Sequence, residues 1–340
     1  MPATSPTIAE IARAVGVSVP TVSKVLNGRP DVAETTRTKV EAALAHHGYR
    51  RRRAAAPPPG TGLIDLVFHR IGSPWATEII QGVEDAAADR KVSVILTQLG
   101  GAYRPPDAWV EATLARPPLG VLLVSSRLTD DQRMRLQRRS IPVVAIDTDG
   151  APPADMPSIG SDNWGGGLSA TRHLIALGHT RIAAVTGPEQ LLASRARLDG
   201  FRTAHTEAGL TVDPDLVRSG NFYIEAGYRA GRDLLSLPPA DRPTAVFAGS
   251  DMQALGVVRA AQELGITVPH ELSVVGYDDV PVAEWVSPAL TTVDQQLATM
   301  GNLATTLLMD IVEGRATSTT RLNLTAELVV RESTAPPGAS

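Results

Sequence analysis

Carboxylates, an arginine, hydroxyls and aromatic rings recur in this chain just after short apolar runs. That inventory suits the holding of a polyhydroxylated ring: charged groups fork to neighbouring hydroxyls while aromatic faces cover the apolar side. After LIDLVF come Ser73, Pro74 and Trp75, and after IPVVAI comes Asp147. Further on lie SDNWGGG from Ser161, the stretch Ser194 to Arg197, Asn221 with Phe222, Gly249-Ser250-Asp251, and Gly276-Tyr277-Asp278-Asp279. Aromatic residues make up only 4% of the chain, so the placing of Trp75, Trp164, Phe222 and Tyr277 beside these runs departs from random scatter. A single ring in such a place still serves packing more often than binding.

Catalysis and cofactor chemistry fit less well. Asp278 and Asp279 make a poor acid and base, because adjacent residues in extended chain point in opposite directions. Gly165 to Gly167 lack the order of a dinucleotide fingerprint, and no P-loop lysine follows. His46 and His47 are not spaced to share a metal on a helix face, and His173 and His179 lack an evident third ligand. With no cysteine, disulfides, thiolate metal sites and cysteine nucleophiles drop out. The chain reads as a non-enzyme without cofactor or metal.

A second group of polar residues lies near the start. Thr7-Ile8-Ala9-Glu10 has capping-box spacing, so a helix should begin there, with Ile8, Ile11, Ala12 and Val15 on its apolar face and Gly16 at its end. Ser18 can cap a second helix over about Val19 to Asn27, where Pro20 sits in a first turn that tolerates it. Val22, Val25 and Leu26 form its inner stripe, leaving Val19, Pro20, Thr21, Ser23, Lys24 and Asn27 nearer the outside. A third helix, about Glu34 to His46, turns Val40, Ala43 and Leu44 inward. Two short helices about a glycine turn with a third closing the core make a helix-turn-helix unit, whose second helix can enter a major groove.

Charge supports this. Residues 1 to 56 carry nine basic and four acidic side chains, a surplus of five that leaves the rest at −9 within a net charge of −4. A basic head on an acidic body suits a polyanion-binding module joined to a domain that does not touch nucleic acid. From Leu63 onward LIDLVF, VSVILT, GVLLVS, IPVVAI, RIAAVT, TAVFAG and ELSVVG read as strands, alternating with amphipathic segments such as Trp75 to Asp89 and Ala254 to Leu264. That alternation predicts doubly wound parallel sheets, whose ligands bind beyond the strands' carboxyl ends. At 340 residues, 43% hydrophobic and 20% charged, the chain suits a small domain plus a large one. No apolar run approaches the roughly 18 to 20 residues of a membrane span, and MPATSPTIAE lacks signal-peptide regions, which points to the cytoplasm.

The stretch TIAEIARAVGVSVPTVSKVLNGRPDVAETTRTKVEAALAHHGY closely resembles the head of lactose-repressor family regulators. The part from about Thr61 to Glu332 resembles their two-lobed, type I periplasmic-binding-protein-like sensor, through Leu177-Gly178-His179, Arg195 to Phe201, and ELSVVGYDD with the following PALTT. The resemblance implies an all-α helix-turn-helix head, residues 1–60 with a basic proline-rich linker, and an α/β sensor, residues 61–332. It implies a first lobe of about 61–161 plus 294–320, a second of about 162–293 plus 321–332, and a disordered tail, 333–340.

The resemblance further implies that Val19, Pro20, Ser23 and Lys24 lie against base edges of a palindromic operator, while Thr7, Ser18, Thr21, Asn27 and Thr36 hold phosphates. Arg50, Arg51, Arg52 and Arg53 either grip phosphates and a narrow minor groove or belong to a flexible tether. Pro58 stands where relatives place a wedge leucine, in a run of three prolines that favours an extended segment over a hinge helix. In the sensor, Arg197 and Asp278 are implied to clamp a small effector, a mono- or disaccharide, from the second lobe, answered by Asp147 and Trp75 from the first, with Phe222 stacking on the ring. Asp162, Ser250 and Gln295 are implied as secondary contacts beside Trp164 and Tyr277, while Asp251 organises its loop or caps the next helix. ESTAPPGAS carries no apolar heptads, so a homodimer is expected rather than a tetramer.

Overall fold

Residues 7–26, 32–47, 62–148, 153–316 and 321–338 are described by the computed structural model. Asn27, Arg50 to Arg53 and Pro58 lie outside them, as do the side chains of Leu26 and Ala45.

The head starts with α1 (Ile8–Val15), α2 (Val19–Leu26) and α3 (Glu34–His46). The capping box forms: the Thr7 amide donates to Glu10 Oε2 at 2.6 Å, and the Glu10 amide donates to Thr7 Oγ1 at 3.3 Å. Gly16 ends α1 at φ 73°, and Ser18 Oγ accepts from the Thr21 amide at 3.2 Å to start α2. Ile11, Ala12, Val22, Val25 and Val40 form the core, with Ala43 and Leu44 packed against it. Burial of this face, more than helix propensity, holds segments only eight residues long.

The body continues with β1 (Leu63–Phe68), α4 (Pro74–Asp89), β2 (Ser93–Gln98), α5 (Asp107–Ala115), β3 (Gly120–Val124), α6 (Asp130–Arg138), β4 (Val143–Ile146) and β5 (Ser158–Ser161). Next come α7 (Asn163–Ala176), β6 (Ile182–Thr186), α8 (Leu192–Glu207), β7 (Val217–Ser219), α9 (Ile224–Leu235), β8 (Ala245–Ala248), α10 (Asp251–Glu263) and β9 (Ser273–Val275). The described chain closes with α11 (Val282–Trp285), β10 (Thr292–Asp294), α12 (Leu297–Glu313), β11 (Arg321–Leu324) and β12 (Glu327–Val329).

Two parallel sheets give two lobes. The first has the order β11-β5-β4-β3-β1-β2 and the second β7-β6-β8-β9, while β10 and β12 pair antiparallel between crossings of the chain. The fully buried β3 and the nearly fully buried β1 account for their continuous apolar runs, since helices cover both faces. α12 lies against α4 closely enough that a Cβ on Gly82 would collide with the Ala298 carbonyl. Among the described residues no helix is long and apolar enough to cross a membrane.

Two expected boundaries are corrected. Residues 321–332 do not belong wholly to the second lobe: β11 pairs with β5 at the edge of the first sheet, Arg321 beside Ser158, before the chain crosses back. Nor is 333–338 a disordered tail. Ser333 is fully buried; its carbonyl accepts from the Val274 amide at 2.9 Å, and its Oγ accepts from the Thr291 amide at 2.9 Å. The Ala335 amide donates to Ser273 Oγ at 3.0 Å, and His179 Nε2 bonds the Ala335 carbonyl. Satisfied backbone groups let this polar segment lie along β9 without an apolar pattern.

Candidate functional site

Parallel strands send the loops after their carboxyl ends to the same edge of each sheet, and in this body those two edges face one another. Between them lies a narrow cavity of about 70 Å³, lined from the first lobe by His69, Ser73, Trp75, Tyr103, Ser125 and Asp147, and from the second by Arg197, Asn221, Phe222, Tyr223, Met252 and Asp278.

Arg197 anchors the second wall. It lies in α8, which packs on α7 so closely that a Cβ on Gly167 would strike the Arg197 carbonyl. A Cβ on Gly166 would strike the Tyr277 hydroxyl, and one on Gly165 the Asp162 carboxylate. Gly166 and Gly167 therefore serve packing around the arginine, while Gly165 makes room for the Asp162 cap of its own helix. The guanidinium is 5% exposed. Its Nε donates to Asn163 Oδ1 at 2.7 Å, Nη1 to the Gly249 carbonyl at 2.5 Å and Nη2 to Gln295 Oε1 at 3.3 Å. It lies 3.7 Å from the Tyr277 ring centroid, 5.3 Å from that of Phe222, and 3.6 Å from Asp278 Oδ1.

Asp278 is held in turn by Gln295 Nε2, which donates to Oδ1 at 2.5 Å. Burial pushes the Asp278 carboxyl well up, opposed by Arg197. Behind it Asp251 accepts from the Val280 amide at 2.9 Å and from Thr292 Oγ1, and burial raises its carboxyl to about 7. Asp251 thus organises the loop, and the cap of α10 is Ser250, whose Oγ accepts from the Gln253 amide at 3.1 Å.

The first wall is simpler. Asp147 takes φ 44° at the end of β4, and Ser125 Oγ donates to its carbonyl at 2.9 Å and more distantly to Oδ2 at 3.4 Å. Burial raises its carboxyl, with Arg197 across the cleft the chief opposing influence. Trp75 sits edge-on to Phe68, and His69 stacks on Tyr103 at 4.7 Å between centroids. Burial, and after it the charge of Arg70, lower the His69 imidazole from its ordinary value. The cavity thus offers two carboxyl groups, one guanidinium, an imidazole and several aromatic faces, a set that binds hydroxyls without an acid–base pair aimed at one bond.

Of the sensor residues singled out in the sequence, Trp75, Asp147, Arg197, Phe222 and Asp278 come together at the cavity. Tyr277 and Gln295 stand behind it, fixing Arg197. Asp162 caps α7, accepting from the Gly165 amide at 2.9 Å, and Ser250 donates to the Phe222 carbonyl; neither lines the cavity, because their oxygens complete helix starts. Trp164 lines an adjoining groove. The sequence reading passed over His69, Tyr103, Ser125 and Tyr223, each near a strand's carboxyl end, and left Asn221 without a role.

In the head, Thr7, Ser18, Val19, Pro20 and Lys24 are exposed, Val19 at 45%, while Thr21, Ser23 and Thr36 are partly buried. Thr7 and Ser18 serve as the caps of α1 and α2.

Known proteins share both halves. Residues 7–52 match the model of "Bacterial regulatory proteins, lacI family", and residues 171–334 match that of the "Periplasmic binding protein-like domain". The HTH-type transcriptional repressor CytR of Escherichia coli (strain K12) is 31% identical over 333 residues, 97% of each chain. The ribose operon repressor of the same strain is 34% identical over 96% of this chain and 99% of its own. Among solved structures, a transcriptional regulator CelR–cellobiose complex superposes with a TM-score of 0.73 at 34% identity, covering 96% of this chain and 99% of that one. The lac repressor dimer bound to operator and the anti-inducer ONPF does so at 0.69 and 27%, covering 98% and 100%. These named relatives are regulators, not enzymes. Likeness of this extent, through both the helical head and the two-lobed body, means that the chain belongs to the lacI family of bacterial regulatory proteins.

Proposed function

We propose that this protein is a cytoplasmic transcriptional repressor, acting as a homodimer on a palindromic operator, whose DNA affinity is set by a small sugar held between the lobes. The observation that carries the reading is the buried Arg197, fixed by Asn163, Gly249, Gln295 and Asp278 and facing Asp147 across a ring-lined cavity. Burying a guanidinium and so many polar groups is expensive, and a site that keeps them organised recovers that cost when hydroxyls bind.

Val19, Pro20, Ser23 and Lys24 would meet base edges, with Thr7, Ser18, Thr21, Asn27 and Thr36 on phosphates and Arg50 to Arg53 on the backbone or minor groove. Two heads related by a twofold axis double the bases read, which calls for a palindrome. A sugar gripped by both walls changes the angle between lobes. Because the chain crosses between the lobes after β5, β10 and β11, that change is delivered to the start of the body, where the linker begins. Operator and effector affinities are then reciprocally linked.

A thermal-shift screen of sugars, followed by operator titration with and without each hit, tests this. The expected result is a sugar that raises the melting temperature and changes operator affinity. A sugar that stabilises the protein while leaving operator affinity unchanged would remove the coupling. In the head, Lys24→Ala should weaken selective operator binding by about 1 to 3 kcal/mol and nonspecific binding less. Equal losses on operator and scrambled duplex would reduce Lys24 to a phosphate contact.

A further inference from the structure

The turn that carries Asp278 holds its backbone in an unfavourable shape. Asp278 takes φ 121° and Asp279 φ 53°, two successive positive angles that residues other than glycine avoid unless their surroundings fix them. Two of the fixing contacts are made by the backbone: the Asp278 amide donates to the Val293 carbonyl at 2.9 Å, and the Val280 amide donates to Asp251 Oδ2 at 2.9 Å. Neither involves the Asp279 side chain. That carboxylate meets Arg331 instead, with Oδ1 2.7 Å from Nη1 and the two side chains only 20% and 19% exposed.

Arg331 is itself anchored. Its amide donates to Thr291 Oγ1 at 3.0 Å, its Nη1 donates to the Leu290 carbonyl at 3.0 Å, and the Glu332 amide that follows donates to the Ala289 carbonyl at 2.9 Å. The guanidinium has little freedom to seek a partner, so the carboxylate must come to it. Charge adds to the need for this pair. Asp278, Asp279, Asp294, Glu327 and, from α4, Glu78 line a groove of about 480 Å³, and among its described lining residues none is basic. Burial raises the Asp294 carboxyl, and Asp279 and Glu327 push it further, against the Gln296 amide and Arg331. Without the guanidinium, Asp279 would face like charges where the chain crosses between lobes, and repulsion would favour turning it out toward water.

Building on the reading of the cavity as an effector site, we propose that Arg331 is a positioning residue for the effector clamp: by holding Asp279 it fixes the turn that aims Asp278 at Arg197 and the cavity. Arg331 does not line that cavity; it acts through Asp279 and the backbone the two aspartates share. The segment after β12 is then a working part of the sensor, because it anchors the arginine.

The test compares full-length wild type with Arg331→Gln, Arg331→Lys, Asp279→Asn and the double variant Arg331→Gln/Asp279→Asn. Amide exchange at Asp278, Asp279 and Val280 should quicken at least about tenfold in Arg331→Gln and stay within about threefold in Arg331→Lys, with β1 and β3 protected as in wild type. The Nε–H resonance of Arg197, whose Nη1 lies 3.6 Å from Asp278 Oδ1, should move in Arg331→Gln and return toward its wild-type position in Arg331→Lys. Asp279→Asn breaks the same pair from its other end and should disturb both readings in the same direction, which keeps the test open if Arg331→Gln does not fold. In the Asp279→Asn background Arg331→Gln should add almost nothing, since the carboxylate it serves is gone. An arginine that only holds the Leu290 carbonyl would cost as much with the Asp279 carboxylate as without it; that result, or wild-type readings in Asp279→Asn, overturns the proposal.

Ribose, glucose, galactose and xylose serve as ligand probes, and one that binds wild type should bind Arg331→Gln about tenfold weaker and Arg331→Lys within about threefold. A turn that loosens while sugar affinity holds overturns the link to the clamp and leaves the sugar cavity standing. Silence of wild type toward every sugar counts against the sugar reading, while exchange and the Arg197 resonance still decide whether Arg331 holds the turn.

Discussion

The two walls of the cleft are built differently. In the second lobe Arg197, Tyr277, Asp278 and the neighbouring Gln295 are all buried, and the guanidinium has a partner on each nitrogen. In the first lobe Asp147 is held by Ser125 and feels Arg197 and Asn163 of the other wall, and the remaining surface is mostly the faces of Trp75, His69 and Tyr103. One wall is organised before a ligand arrives; the other gains most from the ligand itself. A site made this way fixes the orientation of its guest on one lobe and converts binding into closure with the other.

The largest expected effect comes from breaking the organised wall. Arg197→Ala strips the countercharge from Asp278 and leaves the Gly249 carbonyl without its donor, so the body should lose about 3 to 5 kcal/mol in urea unfolding. Sugar-dependent change in operator binding should vanish with it. Unfolding midpoints within experimental error of wild type would show that the wall does not depend on its arginine and that the two lobes are alike after all.

A second effect probes the charge stored behind that wall. The folded protein holds the Asp251 proton up to about pH 7 because burial outweighs the bonds from Val280 and Thr292, whereas an unfolded chain releases it near pH 4. Between those limits the folded state binds more protons, so the contribution of this group to stability is greatest below about pH 4, falls as pH rises and is flat above about 7. Asp251→Asn should therefore gain on wild type steadily from about pH 4 to 7, whatever its absolute stability. Parallel stability–pH curves for the two proteins would place Asp251 in an ordinary environment.

Much of this contrast could be read from the chain before folding. β1, β3 and β6 announce themselves as apolar runs buried on both faces, and Arg197, Asp278 and Asp147 follow from looking past strand ends. β5 (SIGS), β10, β11 and β12 do not, because three or four residues held in place by lobe crossings need no apolar alternation. Polar residues at strand ends can touch a ligand or cap the next helix, and only geometry separates the two; Asp162 and Ser250 turn out to be caps. Tyr277 and Gln295 sit one layer behind the cavity, a depth that spacing along a sequence does not report. Ser333 hides for a related reason: its burial comes from backbone hydrogen bonding to β9, which leaves no hydrophobic signature.

The smallest expected change separates the walls most sharply. Asp147 carries a carboxyl whose ionisation burial disfavours, so Asp147→Asn removes an awkward charge while keeping the shape, and thermal stability should stay level or rise slightly. The amide accepts hydroxyl hydrogen bonds less strongly than a carboxylate does, so affinity for the sugar should fall about tenfold, ~1.4 kcal/mol. A residue that costs stability when present and affinity when removed is placed for its ligand, whereas Arg197 supports both fold and binding. Calorimetric titration beside a melting curve on the same preparation decides the matter: a loss of stability in Asp147→Asn comparable to that in Arg197→Ala would mean that both lobes are organised in advance, and closure would then have to be driven from elsewhere in the cleft.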